Sequence, residues 1–133
     1  MLEPVIALIT WTMVVWAWMY ILRIPAMQAA GIDPDNAQHP GSLDVLPDKA
    51  RFVAANYNHL HEQPTVFYAL AFYTQLAGAA DVVNVNLAWA YVILRVVHSL
   101  VQNTANRVMV RFSVFALSSL VLIAILVRNL MAL

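Results

Sequence analysis

A run of about 20 apolar and aromatic residues, positions 5–24, carries one charge, Arg23, near its end. That length matches one helical crossing of the hydrocarbon layer. Inside lipid no water satisfies backbone N–H and C=O groups, so a lone run of this kind must be a helix. The rest of the chain keeps the same character: of 133 residues, 62% are hydrophobic and 11% charged, far outside the soluble norm. Seven basic and seven acidic residues give a formal net charge of zero, which leaves no basic field for nucleic acid. There is no cysteine, which excludes a disulfide framework, a thiolate metal site and a cysteine nucleophile. The run begins Met1-Leu2-Glu3-Pro4, without a basic stretch ahead of it or a small-residue cleavage pattern after it, and reads as a retained transmembrane helix. Trp11, Trp16, Trp18 and Tyr20 enrich its later part, where an aromatic belt would lie.

Residues 25–47 change abruptly to Pro, Gly, Asp, Asn and Gln, and IDPDNAQHPGSLD reads as turns in a solvated connector. Three further helices are expected at about 48–78, 87–102 and 108–130, joined by a short turn and by the polar QNTANR. The expected fold is all-α, an integral membrane four-helix bundle in a single domain over 1–133. Arg23, Lys49, Arg51, Arg107 and Arg111 lie at the ends of the first and third loops, against Arg128 alone on the other side. The positive-inside rule therefore puts loops one and three in the cytoplasm and both termini outside.

The chemistry is concentrated in residues 51–68, RFVAANYNHLHEQPTVFY. At 100° per residue Arg51, Ala55, Asn58 and Glu62 fall on one narrow helical stripe. A Glu facing lipid costs about 2.5–3.5 kcal/mol, so Glu62 should face other helices. Pro64 should bend this helix, with neighbours satisfying the freed carbonyl. On helix three, Tyr91, Arg95, His98 and Gln102 recur at spacings of four, three and four, again one face. The short turn makes helices two and three antiparallel neighbours, and Glu62 with Arg95 is the expected pair. A structural ion pair would look the same in sequence. Yet Arg51, Asn56, Asn58, His59, His61, Glu62, Arg95, His98, Gln102, Arg107 and Arg111 all gather toward one membrane face, more polar groups than packing needs. His59, Glu62 and His98 could share a metal, but there is no second Glu-x-x-His and the loop carboxylates lack ligand spacing, so no metal site is expected. A proton relay through Glu62 and His98 stays open. Ser113 and Ser118 have no aligned His-Asp pair to make a nucleophile.

NYNHLHEQPTVFYAL, then WAYVILRVVHSLVQ, then an arginine-bearing fourth helix, together resemble the MAPEG family, the membrane-associated proteins of eicosanoid and glutathione metabolism, over nearly the whole chain. The match is to bacterial-type members, which implies an inner-membrane location. The resemblance implies a homotrimer with glutathione as cosubstrate, bound between subunits near the cytoplasmic face, and a lipophilic small molecule taken from the membrane lipids. In catalytic members an Arg and an Asn precede the helix-two Glu by seven and three residues; here Ala55 and His59 stand there, with Arg51, Asn56 and Asn58 close by. Helix three of such members has a Tyr four residues after the His position; here it is Gln102. The resemblance makes Arg111, with Arg107, the candidate thiol-activating arginines. It makes Arg51, Asn58, His59, Glu62, Arg95, His98 and Gln102 the candidate glutathione contacts. Glutathione brings two carboxylates, an ammonium and a thiol, which a Glu and several arginines can hold. Two activities follow: a glutathione- or thiol-dependent transferase or peroxidase, or a non-catalytic trimer that binds a lipid in the inter-subunit groove.

Overall fold

The computed structural model describes residues 1–39 and 41–133; Pro40, part of the turn-rich loop, lies outside the described residues. The described residues are all helix, turn and loop, with no strand. Five α-helices form four arms: α1 (Leu2–Ala30), α2 (Asp48–His59), α3 (Gln63–Leu76), α4 (Val82–Asn103) and α5 (Val108–Met131).

The first arm is longer than its apolar run. Pro25 was expected to open the loop, but it sits inside α1 on the exposed side, where losing one N–H bond is tolerated. The helix ends instead at Gly31, in the left-handed region at φ 68°. There Gly31 N–H donates to Gln28 O at 3.2 Å and Ile32 N–H to Met27 O at 3.0 Å, a Schellman closure that a residue with a Cβ would strain.

The second arm corrects the expectation of one helix over 48–78. It breaks at residues 60–62, ahead of Pro64 and not at it. A continuous helix would drive the proline ring against the carbonyl of Leu60. With the break, Pro64 falls in the first turn of α3, where no N–H is needed. The break is tight: Leu60, His61 and Glu62 N–H donate to the carbonyls of Asn56, Asn58 and His59 at 2.9, 3.0 and 3.1 Å. Thr65 Oγ1 donates to Glu62 O at 2.6 Å. Few backbone groups are thus left bare at membrane depth.

α4 is the central helix, packed against α1, α2 and α5. Its buried face meets Leu8 and Val15 of α1, Val53 of α2 and Ile125 of α5 in one apolar core. The Phe67 ring of α3 stacks on Tyr91 at 4.5 Å and 19°. Polar rungs cross this core, each with its partner: Tyr91 OH donates to Gln63 Oε1 at 3.1 Å, Gln63 Nε2 to Ser119 Oγ at 2.8 Å, Ser99 Oγ to Asn56 Oδ1 at 3.2 Å and Asn129 Nδ2 to Thr74 Oγ1 at 2.9 Å. Outward faces carry Ile6, Met13, Ile93, Leu120 and Ile123, all exposed, as lipid contact requires. Among the described residues three helices, α1, α4 and α5, are each long and apolar enough to cross a membrane, and the remaining arm is α2 and α3 in tandem. This is a membrane protein.

At the end of the bundle beside the α3–α4 turn, Asp81 caps α4, accepting from Asn84 N–H at 2.8 Å. Arg128 of α5 reaches across, donating to Asp81 Oδ2 at 2.7 Å and Asn84 Oδ1 at 2.8 Å. The Asn84 amide first, and the Arg128 charge with it, hold the Asp81 carboxyl below its ordinary value. A lowered folded value means this contribution is complete above the unfolded value, near about 4, and fades as pH falls through the folded one. Asp81→Asn keeps a good cap but removes the charge. A melting-temperature series from about pH 6 to about pH 2.5 should therefore fall less steeply at its acid end for the variant than for the wild type.

Candidate functional site

At the opposite end, a cavity of about 310 Å³ opens between the α2–α3 break, α4 and α5, lined by Ala55, His59, Glu62, His98, Gln102, Val108, Arg111, Phe112 and Phe115. Each lining residue is placed by a local feature. The end of α2 at His59 and the turn that follows bring His59 and Glu62 together, His59 Nδ1 donating to Glu62 Oε2 at 3.0 Å. α4 contributes His98 and Gln102, one turn apart on its buried face. Arg111, in the first turn of α5, is steered by the preceding loop: its Nη1 donates to Asn106 Oδ1 at 2.7 Å. Asn106 holds φ 46°, a left-handed conformation that Asn tolerates, and its N–H closes α4 by donating to Val101 O at 2.7 Å. One turn residue thus ends a helix and aims an arginine. The far wall, Val108, Phe112 and Phe115, is apolar.

The expected pairing of Glu62 with Arg95 is not made. Glu62 lies off the Arg51 stripe because the helix that would carry the stripe stops at His59, and its side chain is 66% exposed with His59 as its partner. Arg95 is wholly buried behind the cavity, its guanidinium carbon 5.8 Å from the Phe115 ring centre, and Nε, Nη1 and Nη2 have no hydrogen-bond partner among the described residues. Tyr91, Arg95, His98 and Gln102 do share one buried face.

The candidate residues other than Arg95 divide into three groups. His59, Glu62, His98, Gln102 and Arg111 meet in the cavity. Arg51 and Asn58 do not; they line a separate groove of about 340 Å³ toward α1, with Arg23 and Asp44. There Arg51 stands 3.9 Å from both Asp44 and Asp48. Arg107 is the exposed N-cap of α5 and lines neither space. Among the described residues no three or more His, Cys, Asp or Glu side chains are arranged to hold a metal ion.

A family model for MAPEG matches residues 1–131 of the chain's 133. The chain belongs to the MAPEG family. No curated protein and no solved structure matches it. Within this MAPEG chain, sequence reasoning missed the apolar wall and Asn106. Phe112 and Phe115 carry no distinguishing signal, because lipid-facing and cavity-facing positions of a membrane helix are both commonly apolar. Asn106 had a usable signal, an Asn in the two-residue approach to an arginine-led helix, where a left-handed turn residue is common.

Proposed function

We propose that this MAPEG protein is a membrane-bound transferase or peroxidase that activates glutathione, or a similar thiol, against a lipophilic electrophile. The observation that carries the reading is the cavity in which Arg111, fixed by Asn106, stands over an apolar wall with Glu62 in the same cavity. With Nη1 engaged by Asn106, the other guanidinium nitrogen groups are left to face an anion. A guanidinium there stabilises a thiolate more than a thiol and so draws the proton off sulfur. Glu62 has one carboxylate oxygen on His59 and a second for the ammonium of a peptide thiol. Val108, Phe112 and Phe115 give an apolar electrophile a place beside the sulfur. The second copy needed to enclose a tripeptide fits a homotrimer, in which Arg23, Arg51 and Asn58 of the neighbouring groove would meet the outer carboxylates.

A second reading, a non-catalytic trimer holding a lipid or other amphipathic ligand, draws on one observation: Ala55 in the cavity lining and Gln102 at its back bring neither charge nor phenol to a thiol. Adding glutathione to the solubilised protein at neutral pH separates the two. The transferase reading expects a thiolate band in the ultraviolet difference spectrum and a raised melting temperature, because a ligand that binds only the folded state stabilises it. Neither change, with stabilisation by lipid instead, would leave the second reading.

A further inference from the structure

Three groups at the cavity form a series that the thiol reading by itself does not use. Glu62, ionised, can only accept a hydrogen bond, so the 3.0 Å contact requires His59 Nδ1 to carry its proton. In neutral His59 that leaves Nε2 as a bare lone pair, and Nε2 is buried without a partner. The His98 ring lies alongside, its centre 4.9 Å from that of His59 and its plane tilted by 32°. His98 Nδ1 is also buried without a partner. One orphan is an acceptor that lacks a donor, and the other becomes its donor when His98 holds its proton on Nδ1. The two orphans belong to adjacent rings, and a rotation that brings His98 Nδ1 to His59 Nε2 would pair them. That tautomer leaves Nε2 of His98, the nitrogen remaining to face the cavity that the ring lines, as an unprotonated acceptor.

We infer that Glu62, His59 and His98 form a proton relay whose cavity end, Nε2 of His98, takes the proton of the thiol cosubstrate. The inference rests on the thiol reading above. In the step, the S–H bond breaks, its electron pair stays on sulfur as thiolate beside Arg111, and the proton forms an N–H bond on His98 Nε2. The Nδ1 proton of His98 is shared with His59 Nε2, and Glu62 balances the positive charge from the far end. Attack on an activated alkene then forms the C–S bond, moves the π pair onto carbon, and returns the proton from Nε2 to that carbon. The charged and titratable groups facing the pair are Glu62 from the α2–α3 break, Arg95 from α4 and Arg111 from α5.

The test is kcat against pH for the solubilised wild type, His98→Asn and His59→Asn, with glutathione and an α,β-unsaturated ketone as probes. General acid–base catalysis is worth roughly 100-fold or more, so His98→Asn should lose about that factor in kcat near neutral pH, with KM for glutathione little changed. His59→Asn, at a side chain 22% exposed, folds more readily and should lose roughly tenfold. In both, kcat should climb with pH as solvent takes over the deprotonation, whereas the wild type levels off. A merely structural role would lower kcat without that slope. A wild type that turns over glutathione, with variants keeping its kcat and its pH profile, overturns the relay and leaves the thiol reading standing. A wild type with neither turnover nor a thiolate band overturns both.

Discussion

Arg111→Ala should lower kcat by about 100-fold while shifting KM for glutathione only a few-fold, the pattern of an interaction that strengthens as charge develops on the reacting atom. The guanidinium is held at the cavity by Asn106 Oδ1 at 2.7 Å. Its worth thus lies in being pre-aimed at the sulfur. Equal losses in kcat/KM and in affinity would make Arg111 a plain carboxylate holder instead. Asn106→Gly provides the companion variant, because glycine adopts φ 46° without strain and only the steering oxygen is lost. It should reduce kcat in the same direction and by less, roughly three- to tenfold, since the positive charge stays but its aim loosens. Steady-state kinetics on the three proteins decide the matter.

Arg95→Met should raise stability by about 1–4 kcal/mol while weakening glutathione binding. The guanidinium is fully enclosed, none of its nitrogens is paired among the described residues, and its nearest compensation is the face of Phe115 at 5.8 Å. A buried charge without an anion is a standing cost, and an unbranched apolar side chain of similar length removes it; even well-paired buried ions are often replaced this way with such a gain. Binding should weaken because a cation behind the apolar wall still attracts a peptide of net negative charge through a medium that screens poorly. Denaturant unfolding in a fixed detergent reads the stability. A loss of about 3–5 kcal/mol in place of the gain would show that assembly brings an anion to this guanidinium.

How much of this was legible in the sequence depends on which rule each residue obeys. The helical arms were, because lipid permits little else and the apolar runs have the length of a crossing. The shared buried face of Tyr91, Arg95, His98 and Gln102 was, because α4 is unbroken and periodicity carries straight through it. Glu62 was misplaced for the converse reason. Its position on the Arg51 stripe assumed a continuous helix, and Pro64 acts on the turn before it, so the stripe ends at His59. That one displacement exchanged Arg95 for His59 as the partner of Glu62. It also parted Glu62 from Arg51 and Asn58: those two line the groove toward α1, whereas Glu62 joins the cavity against α4 and α5. The end of α1 was misjudged because Pro25 marks a loop by composition, whereas Gly31 carries the left-handed turn that stops the helix. The phenylalanine wall had no distinguishing pattern: in a chain this apolar, a side chain facing a cavity and one facing lipid are written with the same letters.

The lengths of α1 and α2 set the depth at which the site works. The 29 residues of α1 extend about 43 Å, more than the hydrocarbon layer of about 30 Å, so one end of the helix stands out in water. Arg23 near that end shares a groove with Arg51 and Asp44, which marks the level where lipid gives way to water. From Arg51 the helix descends to His59 over about eight residues, roughly 12 Å, which brings the floor of the cavity to the level of the acyl chains. An oily electrophile would reach such a floor sideways, and the concentration that governs its reaction is its mole fraction in the bilayer. Diluting the membrane with inert lipid at fixed total electrophile should slow turnover. Saturation by glutathione, which arrives from water, should stay where it was.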